Sequence, residues 1–372
     1  MRMKKKARVS AVGLLLTMCW LLALNRSAGT IRHAVPTVGK RMHHIKKPEE
    51  YSAFWSRVDC VDLTCWKSEQ LRKVLKLTSQ GKELVTTNFL PATARFSCSE
   101  LAIPCTVQKD GKCVVAVSQK DICCFDKALS SQSYKSELII VTHGHDKLGS
   151  PVTVHEDHDP WTFQCFEHIL DNEIVSTYFV SQHKTNFTHK KLDFLPIGLG
   201  TGKLKADLSV ENLNALLTRM VSDLETSCRE RKCTLFPAAV NMNTEGSKTK
   251  DDRAAAFFHA QRLFPFVENM YGTVSGAQMF EQYSQSALVF SPKGTHFDCW
   301  RHYETILMGS IPVVDDHFTL RRILADLPVI FVENWQELTL EALIEEIQRT
   351  LAVRHFDLER LSSSFWLQRL LG

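Results

Sequence analysis

Three charged side chains, Asp298, Arg301 and Glu304, recur every three residues within "SPKGTHFDCWRHYETILMGSIPVVDD", residues 291–316. On a helix each step falls about 60° short of a full turn, so the three fan over about 120° of one face. A carboxylate accepts two hydroxyl hydrogens at once, and a guanidinium offers a fork of donors to phosphate oxygens. Just ahead stand Lys293, Gly294, Thr295 and His296, where an apolar run ends. If a helix begins there, its unpaired N–H groups and positive dipole end suit a phosphate or pyrophosphate. The ordinary alternative is a solvated helix face with Asp–Arg and Arg–Glu pairs.

The elements that must position these groups form a βαβ unit. "ALVFSP" reads as a strand broken by Pro292 and Gly294. A helix follows from about Phe297 to Met308, Gly309 caps it, and "IPVV" is the next parallel strand. In open α/β sheets ligands bind at the carboxyl ends of strands, which is where residues 293–296 fall. The surrounding pattern agrees. "SELIIVTHGHD", "HILDNEIVSTYFVSQHK" and "KLDFLPIGLG" carry apolar, strand-like runs in the first half, and "CTLFPAAVNM" and "PVIFVEN" in the second. Helical patterns alternate with them: "SVENLNALLTRMVSDLET" with Ser209 as cap, "DDRAAAFFHAQRLF", "GAQMFEQYSQ", "FTLRRILADL" and "WQELTLEALIEEIQRTL". A further helix is expected at "KSEQLRKVLKLTSQGKEL". Short apolar runs alternating with helices predict parallel sheets covered by helices, an α/β fold.

Charge is distributed against nucleic-acid binding. The chain has 372 residues and a net charge of +4, yet its first eight residues carry five positive charges. Residues 25–50 add a further net four, leaving the body 51–372 near −5. A nucleic-acid binder concentrates positive charge on its folded part. Here the basic tail 1–8 precedes an uncharged apolar run, Ala11–Leu24. That order is expected of a secretory signal or signal-anchor, and no crisp small-x-small cleavage site follows Leu24. Residues 9–24 are read as an uncleaved type II anchor and 25–50 as a stem; a cleaved signal on a secreted protein is the alternative.

Of twelve cysteines, eleven follow the apolar run, six of them closely spaced: Cys60, Cys65, Cys98, Cys105, Cys113 and Cys123. None sits in a zinc-like spacing with a matching His pair. In an oxidising lumen they are expected to form disulfides stapling a loop-rich segment, and an odd number leaves at least one free. "NFT" at Asn186–Thr188 is a glycosylation acceptor, consistent with a lumenal surface.

"FSPKGTHFDCWRHYETILMGSIPVVDD", followed by "LPVIFVENWQEL", resembles the C-terminal signature of exostosin-like (GT47-like) glycosyltransferases. In that family a strand–Ser-Pro-x-Gly–helix segment carries an Asp, an Arg and a Glu ahead of "GxIPVV". "KLDFLPIGLG" and "DDRAAAFF", where Arg253 opens a helix, extend the likeness over roughly residues 138–345. The resemblance implies a GT-B-like fold: two Rossmann-like domains facing a cleft, here preceded by an N-terminal membrane anchor and stem. It divides the body into 51–225, a Cys-rich segment plus the acceptor-side domain, and 226–372, the nucleotide-sugar-binding domain. By carry-over Glu304 holds the ribose hydroxyls, Arg301 and Arg253 the diphosphate, and Gly294 lets the backbone approach the phosphate. Asp298 orients Arg301, and Lys293 is a secondary phosphate contact.

The first domain is then expected to hold the acceptor and, for inverting transfer, a general base. His143, His145 and Asp146 in "VTHGHD" and Glu156 in "VHEDHDPW" are the candidates, and the sequence does not choose among them. "DHD" at 157–159 matches a metal-binding DxD pattern of another glycosyltransferase fold; no metal ligand is assigned, and a divalent ion is left open. Trp161 and Trp300 could stack on sugar rings, core packing being the commoner use. The expectation is a Golgi-membrane, single-pass type II glycosyltransferase with a lumenal body. It would need no cofactor and would move a sugar from a nucleotide-sugar donor to a glycan or glycoprotein. A non-catalytic lumenal carbohydrate-binding protein that retains the fold is the alternative from another class.

Overall fold

A computed structural model of the chain describes residues 51–85, 94–99, 102–107, 111–142, 160–181, 187–200, 210–242, 250–265, 267–294, 296–353 and 355–371. The expected anchor and stem, Ser209, Asn186 of the glycosylation sequon, and the base candidates His143, His145, Asp146 and Glu156 lie outside the described residues. Among the described residues no helix is long and apolar enough to cross a membrane.

Two mainly parallel sheets organise the fold. In the first, β1 (Cys113–Ala116), β2 (Leu138–Thr142), β3 (Val175–Val180) and β4 (Leu192–Phe194) lie side by side in that order. Ala94–Arg95 extends the β1 edge in parallel, and Thr106–Val107 pairs antiparallel with β1. Helix α2 (Ile122–Ser131) follows β1 and α3 (Pro160–Asp171) follows β2. Every residue of β2 is buried, as a parallel strand covered on both faces requires. This accounts for the unbroken apolar run in "LIIV".

Helix α4 (Val210–Arg229) leads into the second sheet, whose order is β8-β7-β6-β5. These strands are β5 (Phe236–Val240), β6 (Ser286–Phe290), β7 (Ile311–Asp315) and β8 (Ile330–Val332), all parallel. Connecting them are α5 (Lys250–Leu263), α6 (Gly276–Ser284), α7 (Trp300–Leu307) and α8 (Phe318–Ile323). Pro237 is tolerated because β5 is an edge strand. Helix α6 starts with a capping box: the Gln278 amide donates to Ser275 Oγ at 3.3 Å, and Ser275 N donates back to Gln278 Oε1 at 2.9 Å. After β8 come α9 (Leu340–Ala352), capped by Thr339, and α10 (Ser363–Leu371).

Both sheets belong to one compact unit, Pro48–Gly372. The C-terminal helix α10 returns to the first sheet, where Arg369 pairs with Asp193 of β4 at 2.9 Å. Three strands of chain meet beside it: Val85 N donates to Leu361 O, Ser363 N to Glu83 O, and Leu199 N to Val85 O, at 2.7–2.8 Å.

The long helix near the N-terminus, α1 (Cys60–Ser79), begins earlier than its sequence pattern suggested because Asp59 caps it, accepting from Val61 N and Asp62 N. Grouped by sequence with the first half, α1 packs along α4 and reaches the second sheet. Lys67, 1% exposed, donates to Tyr283 O, Ser286 O and Ser310 Oγ at 3.1, 2.6 and 2.6 Å. Gly309 has φ +68°, and a side chain there would collide with Leu71 and Lys67 of α1. The glycine therefore both ends α7 and admits α1.

Among the described residues five disulfides are present: Cys60–Cys233, Cys65–Cys228, Cys98–Cys124, Cys105–Cys113 and Cys123–Cys165. The last three staple the first sheet, as expected of the Cys-rich segment. Cys60 and Cys65 instead tie α1 to residues just after and within α4, spans of 173 and 163 residues that no local spacing could reveal. Cys299 is the free thiol among the described residues.

Candidate functional site

A cleft of about 220 Å³ opens where β5 and β6 end. Arg253 from α5, Tyr283 from α6, and Arg301 and Glu304 from α7 line it, with Gly294 and Asp298 from the loop between β6 and α7. Ile197, in the segment after β4, closes it from the first sheet. The sequence thus brought together Arg253, Gly294, Asp298, Arg301 and Glu304 in one wall. Lys293 does not line the cleft; its ammonium sits over the Phe297 ring, 5.2 Å from the centroid.

The loop that carries these groups departs from expectation at one point. Helix α7 starts at Trp300, not near Phe297, and Cys299 before it is extended at φ −130°, ψ 143°. Side chains explain the delay. Asp298 Oδ2 accepts from Ile197 N at 2.8 Å and from the Tyr303 hydroxyl at 3.0 Å, which pulls residue 298 across to the other sheet. Backbone amides of the loop are also engaged: Gly294 N donates to His296 O at 2.9 Å, and Lys293 N donates to the Asp315 carboxylate. The amides of Lys293 and Gly294 are thus engaged within the protein, and α7 begins four residues beyond His296. Positive charge reaches the cleft from side chains instead.

Arg253 and Arg301 supply it. Arg253 Nε donates to Lys293 O at 3.1 Å, and its Nη2 fills the room beside Gly294. A β-carbon built on Gly294 would lie 2.5 Å from that nitrogen. The glycine leaves the room in which this guanidinium is seated. Burial, then the neighbouring Arg301, lowers the Arg253 pKa. Arg301 is half-buried and makes no ion pair among the described residues; its Nη1 reaches Pro292 O at 3.5 Å. Two partly desolvated guanidiniums facing one cleft repel each other until an anion arrives, and a diphosphate relieves both costs. Glu304, 3% exposed, sits one turn further along α7.

Asp298 does not orient Arg301; its carboxylate is held by Ile197 N, the Tyr303 hydroxyl and the Cys299 backbone. Burial pushes its carboxyl up to about 7 against the pull of those donors. His302, fully buried, is pushed down to about 3 by desolvation, so it is neutral. Its Nε2 faces Phe297 O at 2.9 Å, which only accepts, so Nε2 carries the proton and Nδ1 accepts from Ser291 Oγ at 2.8 Å. His302 is a brace for the loop. Burial raises the Cys299 thiol to about 11, which keeps it protonated beside the guanidiniums.

Sequence reasoning missed Tyr271, Tyr283 and Ile197. Tyr283 stands in an ordinary amphipathic helix, and Tyr271 in a turn with no motif. Only "PIGLG" gave a signal for Ile197, and it named no role.

Residues 267–360 match a family model described as the RXYLT1 C-terminal domain. The matched region is therefore glycosyltransferase-like. The match includes Tyr271, Tyr283 and the whole loop from Lys293 to Glu304, and leaves Arg253 and Ile197 outside. No curated protein matches the chain.

Proposed function

We propose that the protein is a glycosyltransferase of the exostosin-like (GT47-like) kind, its two sheets forming a GT-B arrangement with the donor held in this cleft. The observation that carries the reading is the convergence of Arg253, Arg301 and Glu304 on one cleft at the carboxyl ends of parallel strands, within or beside the matched region. In this reading the guanidiniums hold the diphosphate of a nucleotide sugar and stabilise the charge that grows on it as the sugar departs. Glu304 accepts the ribose hydroxyls. The acceptor, a glycan or glycoprotein, approaches from the side of the first sheet, with one of His143, His145, Asp146 or Glu156 as base if transfer inverts the anomeric centre.

Five disulfides fit an oxidising compartment of the secretory pathway. With the basic tail and apolar run 11–24, they support a lumenal enzyme on a type II anchor in the Golgi membrane. Thermal-shift and calorimetric titration with UDP, GDP and their sugar conjugates tests the donor assignment. Binding should be specific to one nucleotide diphosphate and should disappear in Glu304→Ala and Arg301→Ala with the fold retained. No binding by the wild-type chain, or unchanged binding in both variants, sinks the proposal.

A further inference from the structure

Asn241, the residue directly after β5, lines the cleft together with Arg253, Arg301 and Glu304. It is 6% exposed. Among the described residues its carboxamide makes no hydrogen bond, yet neither Oδ1 nor Nδ2 is fully enclosed. Buried polar groups in folded proteins are paired, so an amide that is unpaired and still reachable calls for a partner from outside the chain. Asn241 lies outside the matched region 267–360, so the family likeness assigns it no role.

Its position is built in. Asn269 holds the chain on one side of it: Met242 N donates to Asn269 Oδ1 at 3.1 Å, and Asn269 Nδ2 donates to Met242 O at 2.8 Å. On the other side Val240 O accepts from Met270 N at 3.1 Å. Residue 241 is thus pinned at both ends. Val240 lies opposite Phe290 in the parallel register, which brings Asn241 beside Ser291, one strand spacing of about 4.8 Å away. The next two carbonyls anchor the guanidiniums. Arg301 Nη1 reaches Pro292 O at 3.5 Å, and Arg253 Nε donates to Lys293 O at 3.1 Å. The open amide and the two cations therefore share one corner of the sheet.

We propose that Asn241 Nδ2 is a third donor to the diphosphate of the nucleotide sugar, beside Arg253 and Arg301. This inference rests on the donor reading above. A carboxamide can turn either end toward the cleft, and an anion drawn in by two guanidiniums selects the NH2 end. Being neutral, the amide adds a donor without adding to the repulsion between the two cations. A sugar hydroxyl or a nucleobase edge would use the same group differently, and Asn241→Asp separates the three. The carboxylate keeps the shape of the amide but has no donor and carries a negative charge. It repels a diphosphate, accepts a sugar hydroxyl at least as well, and changes which base is preferred.

The test is calorimetry of the full chain with inorganic pyrophosphate, read by competition, and with UDP, GDP and their sugar conjugates. Asn241→Ala should weaken pyrophosphate, the preferred nucleoside diphosphate and its conjugate by one common factor, about tenfold, with an unchanged urea midpoint. Asn241→Asp should weaken all three further. Unchanged affinities in Asn241→Ala overturn the contact and leave the donor cleft standing. Loss confined to the nucleoside diphosphates assigns the carboxamide to the nucleoside, and loss confined to the conjugates assigns it to the sugar; either overturns it. Asn241→Asp that binds as tightly as the wild type does so too, as does pyrophosphate that fails to compete with a bound nucleoside diphosphate. A wild type that binds neither pyrophosphate nor any nucleoside diphosphate removes this contact and the donor reading together.

Discussion

Arg253 occupies the space in which a side chain on Gly294 would lie, with Nη2 2.5 Å from a β-carbon built there and Cys299 Sγ 3.2 Å from it. A glycine forty-one positions later in the chain therefore sets where a guanidinium points. Gly294→Ala should push the guanidinium off its seat and weaken nucleotide diphosphate binding about tenfold. The displaced atom is the far end of a long side chain, so the stability cost should stay near about 1 kcal/mol. Paired calorimetry and urea unfolding of the variant check this; loss of folding with no loss of affinity per folded molecule would contradict it.

Asp298 and His302 give pH dependences of opposite sign. Unfolded Asp releases its proton near 3.8 and folded Asp298 near about 7, so raising the pH across that window draws the chain toward the unfolded state. Unfolded His takes a proton near 6.5 and folded His302 only near about 3, so across that window stability rises with pH. In the wild type the two largely offset each other. Asp298→Asn should expose the His302 slope: stability that falls by a few kcal/mol as pH drops from about 6.5 toward 3. It should also raise stability above pH 7, where the buried carboxylate was charged. Urea midpoints from pH 3.5 to 8.5 measure both.

Lys67 joins α1 to the strand that feeds the cleft. Burial lowers its pKa well below 10.5, so between the folded and unfolded values the unfolded chain binds more protons and stability rises with pH up to about 10.5. Lys67→Met fills the same space but removes the donors to Tyr283 O and Ser286 O, at a cost of about 1–3 kcal/mol. Urea unfolding between pH 8 and 10.5 should show the alkaline rise in the wild type and a flat profile in the variant.

The two long-range disulfides should not contribute equally when removed in turn. Either one alone closes a loop of more than 150 residues, worth about 5 kcal/mol in chain entropy. With one in place, the other closes only the short stretches between Cys60 and Cys65 and between Cys228 and Cys233. The pairs Cys60→Ser/Cys233→Ser and Cys65→Ser/Cys228→Ser should each lower the melting temperature modestly, and the quadruple variant by far more than their sum. Calorimetric melting of the three variants reads this directly.

Residue type and period alone determined a good deal here. Alternating apolar runs and helical patterns located β2, β3 and β4 of the first sheet and the strands of the second to within a few residues, because strands buried on both faces are rich in uninterrupted apolar residues; β1, inside the Cys-rich segment, was not among them. The block from Ser291 to Asp316 identified the wall of the cleft, and Arg253, Arg301 and Glu304 converge there. Tertiary structure decided the rest. Helix α7 starts three residues late because Asp298 answers an amide on the other sheet, a contact 101 residues away in sequence. Gly294 leaves room for the Arg253 side chain, and α1 leans on the second sheet through a lysine that composition would put on the surface. Each of these depends on which distant atoms meet. Local periodicity records how a segment folds onto its neighbours along the chain, but carries no register for a hydrogen bond or a disulfide between sheets.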